Sequence, residues 1–165
     1  MFQTIPYEGT KEEQYETLVR QLDALLEGET DTIAHLANAS ALLGQFLPSI
    51  NWVGFYRWDT SSNELVLGPF QGLPACVRIP KGRGVCGTVI ETMTTERVQD
   101  VHAFPGHIAC DAASRSEIVL PIRKNGKPFG VLDIDSPVLD RFDAVDERGL
   151  TAFVTQLEHH LQSSH

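Results

Sequence analysis

Asn125-Gly126 joins two short β-rich segments, Glu117 to Arg123 and Phe129 to Asp135. An Asn-Gly pair between such segments is the strongest short-range hairpin signal, because both residues tolerate the positive φ of a tight turn. Upstream, Asn51–Trp58, Glu64–Phe70, Ala75–Ile79 and Arg97–Val101 are also short, β-rich and bounded by Gly, Pro, Asn or Ser. A single short helical run, Gly84–Met93, interrupts them. Without regular crossover helices the sheet is expected to be largely antiparallel.

Helical periodicity flanks this block. Thr10 and Glu13 form a capping box, followed by Tyr15, Leu18, Val19, Leu22, Leu25 and Leu26 at helical spacing, and Gly28 ends the run. Asp31 opens a second stretch through Leu36, Leu43, Phe46 and Leu47, stopped by Pro48. Asp143 caps a last helix carrying Val145, Leu150, Phe153, Val154, Leu157 and Leu161. The expected fold is α+β, one domain over residues 1–165, with helices packed on a central sheet. N-terminal helices fill about 10–47, sheet and site about 51–136, and the C-terminal helix about 143–162.

Composition narrows the function. With 165 residues and 42% hydrophobic side chains, the chain can bury a core without staples. Its formal net charge of -9 would repel a nucleic-acid backbone, and its cations are scattered. No apolar run approaches a membrane span, and Met1–Thr10 lacks the features of a signal peptide, so a cytoplasmic location is expected. Three cysteines are an odd number and too few for a disulfide scaffold. In a reducing compartment, thiols that matter are catalytic, redox-active or metal-bound; otherwise they pack.

Asp133 and Asp135 alternate with Leu132 and Ile134, so both acids share one strand face. The turn decides where Glu117 points. A two-residue loop pairs Glu117 with Ile134 and sends it to the opposite face. A three-residue loop, Lys124–Gly126, pairs it with Asp133; this is preferred because it also pairs Val119 with Val131 and Ile118 with Leu132. Two facing carboxylates are unfavourable unless a cation lies between them.

Cys76 is expected in a strand, Cys86 at the start of a short helix, and Cys110 in a loop of small residues, Ala109–Ser114. No C-x-x-C pair occurs, which disfavours a zinc ribbon or thioredoxin-like chemistry. His102, His107, Cys110 and Asp111 match no strong metal motif; the histidines read better as loop hydrogen-bonders or as cations beside the thiol. Gly82, Gly84 and Gly87 spell G-x-G-x-x-G, yet Pro80 and Lys81 intervene and no βαβ rhythm follows. A tight turn into the Cys86 helix accounts for them better than a dinucleotide site. Trp52, Gly54 and Tyr56 share a face, and the glycine is expected to leave an apolar slot between the aromatics.

Several longer stretches resemble the free methionine-(R)-sulfoxide reductases, small enzymes with the GAF-domain fold. They are Asn51–Tyr56, Leu67–Gly72, Ala75–Pro80, Gly82–Thr88, Gly106–Ser114, Ser116–Pro121 and Gly130–Ser136, with Arg141-Phe142 and Asp146-Glu147. The likeness runs over most of the chain and takes in all three cysteines. It implies Cys110 as nucleophile, Cys76 as the main resolving thiol and Cys86 as an auxiliary, and hence a Cys76–Cys110 disulfide after turnover. It implies Glu117, Asp133 and Asp135 as substrate-binding acids, and Trp52 and Tyr56 as walls of the methyl pocket. It further implies free methionine (R)-sulfoxide as substrate and a thioredoxin-like reductant, with no cofactor or metal; it leaves a homodimer open. The rival reading is a non-catalytic GAF-type sensor that binds a small molecule.

Overall fold

The computed structural model describes residues 2–3, 5–108 and 110–164. Four α-helices are present: α1 Lys11–Leu26, α2 Thr32–Phe46, α3 Gly84–Thr92 and α4 Ala144–Leu161. The strands are β1 Trp52–Asp59, β2 Glu64–Gly72, β3 Arg78–Pro80, β4 Glu96–Val98, β5 Ser116–Lys124 and β6 Lys127–Ser136. They form one sheet in the order β3-β2-β1-β6-β5-β4. Every pairing among them is antiparallel. Among the described residues no helix is long and apolar enough to cross a membrane.

Helix ends form where the sequence placed them. The Thr10 side chain accepts from the Glu13 amide while the Glu13 carboxylate accepts from the Thr10 amide. Asp31 and Asp143 cap α2 and α4 through side-chain bonds to the Ala34 and Asp146 amides. Each such bond satisfies an amide with no partner inside the helix, worth about 1 kcal/mol.

Strand alternation gives the sheet two different faces. Val53, Phe55, Ile118, Leu120, Ile122, Leu132 and Ile134 point to the layer of α1, α2 and α4 and meet Leu18, Leu22, Leu36, Leu43, Phe153 and Leu157 in the main core. Trp52, Tyr56, Val119 and Val131 point the other way and pack with Val85, Val89 and Ile90 of α3. This second face is only partly covered, and the site forms at its open end.

Three sequence expectations change. Asn125 and Gly126 do form a two-residue turn, with φ of 54° and 78°. The register then slips by one residue between Ile122 and Arg123, so that Ile122 faces Gly130 while Arg123 faces Pro128. Phe129 is thus a one-residue bulge, and Glu117 pairs with Asp135 while Val119 pairs with Asp133. The preferred three-residue loop is not the one used, nor is the plain two-residue register. The bulge nevertheless returns Glu117 to the face of the acids.

Cys76 lies in an extended segment ahead of β3 rather than in a strand. Its carbonyl accepts from the Tyr56 hydroxyl at 2.9 Å, a side-chain bond where a ladder bond was expected. Finally, the expected Arg97–Val101 strand stops at Val98; Asp100 caps a 3-10 turn, Val101–Ala103, through the His102 amide.

Candidate active site

A narrow cavity opens on the second face. Its free volume of about 40 Å³ has room for about three water molecules. Glu117, Asp133 and Asp135 form its acidic end, Trp52 and Tyr56 one wall, and Cys110 and Cys86 also line it.

The acids converge because β1, β5 and β6 are neighbours. Glu117 stands across from Asp135 on β5 and β6, and Trp52 across from the same Asp135 on β1. Glu117 is 7% exposed and Asp133 6%, while Asp135 keeps more exposure at the cavity. Burial is the largest influence on all three and pushes each carboxyl above the usual carboxylate range. Glu117 and Asp135 are pushed further by the Asp133 charge. Asp133 is held back by hydrogen bonds from Glu117, Cys86 and Asp135. Burial and mutual repulsion therefore raise the carboxyls as a coupled group, and Asp133 is the one whose neighbours oppose the rise. Asp133 Oδ1 is fully buried and has no hydrogen-bond partner.

Asp146 shows what a structural buried acid looks like in the same molecule. It is 0% exposed, and Lys11 Nζ at 2.8 Å, Arg141 Nη1 at 3.3 Å and the Tyr15 hydroxyl at 2.6 Å surround it. None of the cavity acids forms an ion pair among the described residues. Leaving buried polar atoms unpaired costs about 1–3 kcal/mol each, more for charges. Such an arrangement can accept a cationic group arriving with a ligand.

Cys76 and Cys110 are joined in a disulfide with Cα atoms 5.5 Å apart. Cys86 is the remaining free thiol, 4% exposed. A helix N-terminus ordinarily lowers a thiol pKa. Burial and the nearby Asp133, Glu117 and Asp135 charges overrule it and push the Cys86 thiol well up. Cys86, Glu117 and Asp133 place one donor atom each within 4.8 Å of one another. Cys86 is thus a buried thiol that keeps its proton beside Glu117 and Asp133, chemically unlike the bridged pair.

The glycine-rich turn positions Cys86. Gly82 has a φ of 83°, its amide donates to the Gly87 carbonyl at 2.8 Å, and a Cβ on Gly87 would lie 2.5 Å from the Pro80 carbonyl. Positive φ at Gly82 and Gly84 and close backbone approach at Gly87 account for the three glycines, and β3 ahead of them is an antiparallel edge strand.

Trp52 and Tyr56 stack with ring centroids 5.9 Å apart. The slot expected above Gly54 is absent, because Phe70 fills it: a Cβ on Gly54 would lie 2.2 Å from the Phe70 Cβ. Phe70 stacks on Trp52 at 5.1 Å and stiffens the wall. His107 lines the cavity with its ring 6.0 Å from that of His102. Burial, then His102, lowers its pKa, so it is neutral at pH 7 and is not the cation expected beside the thiol. Arg83 is the cationic side chain lining the cavity.

The sequence reading missed Asn51, Ser114 and Phe70. Asn51 Nδ2 donates to Asp111 Oδ2 at 2.9 Å and to Ser114 Oγ at 3.2 Å. Neither partner carries a spacing signal, because the contact crosses about sixty residues of chain.

The GAF domain profile matches residues 21–161. The chain belongs to the GAF-domain family, in its free methionine-R-sulfoxide reductase branch. Protein YtsP of Bacillus subtilis (strain 168) is 62% identical over 96% of this chain and 97% of its own length. Free methionine-R-sulfoxide reductase of Escherichia coli (strain K12) is 57% identical, over 90% of this chain and 88% of its own. The X-ray structure of free methionine-R-sulfoxide reductase from Neisseria meningitidis in complex with its substrate superposes with a TM-score of 0.92. It is 44% identical and covers 98% of this chain and 96% of that one. The GAF-fold expectation thus stands, with helices on both faces of an antiparallel sheet.

Proposed function

We propose that this GAF domain reduces free methionine (R)-sulfoxide to methionine, using Cys110 as nucleophile and Cys76 as resolving thiol. The observation that carries the reading is a thiol pair close enough to bridge, whose Cys110 lines the same cavity as three acids, Glu117, Asp133 and Asp135, that no cation pairs among the described residues. The Escherichia coli relative and the Neisseria meningitidis structure, both of which carry the activity in their names, support it.

The Cys110 thiolate attacks the sulfoxide sulfur. The oxygen leaves methionine as it is protonated and ends on Cys110 Sγ as a sulfenic acid; the sulfoxide gains two electrons and the thiol loses them. The Cys76 thiol then condenses with the sulfenic acid, forming the Cys76–Cys110 bridge and releasing water. An external dithiol, thioredoxin-like in a cytoplasmic setting, takes the bridge back to two thiols and itself becomes a disulfide. Glu117 and Asp135, whose carboxyls burial and the Asp133 charge push well above the usual carboxylate range, are the groups suited to protonate the departing oxygen. Asp133 suits the substrate ammonium, and Trp52 and Tyr56 the S-methyl group.

A non-catalytic sensor accounts for the acids and not for the bridge. The test is incubation of the reduced protein with free methionine (R)-sulfoxide and dithiothreitol, measuring methionine. Turnover in the wild type and none in Cys110→Ser is the expected result. Equal turnover in the variant would remove Cys110 from its role.

A further inference from the structure

Asn51 sits at the joint between the strand that carries the acids and the loop that carries Cys110. Its amide N–H donates to the Asp135 carbonyl at 2.9 Å. Its side chain donates to Asp111 and Ser114, which flank the small-residue loop after Cys110. The backbone beside it is fixed as well, since Ser136 Oγ donates to the Ser49 carbonyl at 2.6 Å. Within the loop, the Ala113 amide donates to Asp111 Oδ1 at 2.9 Å and the Ser114 amide to the Asp111 carbonyl at 3.2 Å. The loop is therefore a folded unit, and Asn51 supplies its side-chain attachment to β1. Asp111 and Ser114 line the cavity beside Cys110.

We propose that Asn51 is a positioning residue: its side-chain amide latches the Cys110 loop to the strand pair holding Asp133 and Asp135, and so sets the reach of the Cys110 sulfur. The Asn51 side chain makes no hydrogen bond to a thiol or to the carboxylates of Glu117, Asp133 and Asp135, and acts through Asp111 and Ser114. For the methionine sulfoxide step this rests on the function proposed above; for bridge formation it does not.

The bond has a direction that a swap can reverse. Asn51→Asp sets two carboxylates against each other and pushes the loop off. In Asn51→Asp combined with Asp111→Asn, the new amide at position 111 donates to the new carboxylate at position 51. The amide oxygen still accepts from Ala113, and Ser114 Oγ can donate to the carboxylate. Geometric misplacement of about 1 Å costs up to roughly a hundredfold in rate.

The first measurement is closure of the Cys76–Cys110 bridge in reduced protein, followed by thiol titration. Oxidised dithiothreitol accepts the two electrons and two protons, so no methionine sulfoxide is needed. Asn51→Asp should slow closure by about tenfold or more, Asp111→Asn by less, and the double variant should recover most of the rate. The second is steady-state kinetics with free methionine (R)-sulfoxide, where kcat should fall and recover in the same order, with KM moving less. Thermal unfolding is recorded for each variant. A folded Asn51→Asp variant with unchanged closure, or a double variant that regains Tm without regaining rate, would overturn the latch. Should the single variant fail to fold, Asp111→Asn and the double variant still decide the matter: a double variant that closes no faster than Asp111→Asn alone counts against it. Loss of methionine formation in the wild type, with the closure pattern intact, would defeat the proposed substrate and leave the latch standing.

Discussion

Asp146 and Asp133 are both buried aspartates, yet three polar side chains and the Asp143 amide surround the first and the second keeps an oxygen without any partner. That contrast makes opposite predictions for stability and function. The folded-state pKa of Glu117 and that of Asp135 are raised. The protonated forms therefore favour folding, and this contribution is fully present below the ordinary carboxylate range, about pH 4, and is lost as pH rises toward the raised values. Glu117→Gln, which cannot ionise, should unfold about 2 °C or more above wild type at pH 8, with the gain vanishing near pH 4. The same variant should lose at least about tenfold in kcat/KM on the free amino acid. A Tm gain that persists at pH 4 would show that charge is not its cause. Among the thiols, Cys76→Ser should release the first methionine at near-normal rate and then stall, because only resolution is lost. Rapid-quench measurement of one turnover checks this; a missing first turnover would transfer the nucleophile's role from Cys110 to Cys76.

At the scale of elements, the hairpin shows what a sequence displays and what it hides. Alternation around Asp133 and Asp135, the three caps and the turn at Asn125-Gly126 rest on local residue types, and all are present in the structure. The register is not local in this sense. Phe129 bulges because its neighbours across the ladder, not its own type, decide which residue is left unpaired, and that one residue returns Glu117 to the acid face. Cys76 likewise sits outside a strand because Tyr56, twenty residues earlier, takes its carbonyl. Nor could the filling of the Gly54 slot be read from one strand, since Phe70 comes from its neighbour β2. Gly54→Ala should therefore force Phe70 away from Trp52, costing about 1–3 kcal/mol. Chemical denaturation should show a lowered midpoint with unchanged slope. A midpoint equal to wild type would mean that the β1–β2 contact yields more readily than its 2.2 Å approach implies.

Across the whole molecule, the two sheet faces divide the work. One is sealed by α1, α2 and α4 and supplies the main core; the other is left open at one end, where β1, β5, β6, α3 and the Cys110 loop meet. Antiparallel order brings residues 51–56, 76, 86, 110–117 and 133–135 to that end. Among them the resemblance of the sequence to sulfoxide reductases named Trp52, Tyr56, Cys76, Cys86, Cys110, Glu117, Asp133 and Asp135, while the pairing of β1 with β6 and of β5 with β6 explains how the acids and the aromatic wall meet. In the function proposed above, the acid end recognises an ammonium group. An ammonium offers three donors to acids that lack a cation, whereas an acylated nitrogen offers one neutral donor and leaves the acids unpaired. The most direct measurement compares kcat/KM of the wild type for free methionine (R)-sulfoxide and for its N-acetyl derivative. The account predicts a preference for the free amino acid of at least about a hundredfold; comparable values for the two substrates would contradict it.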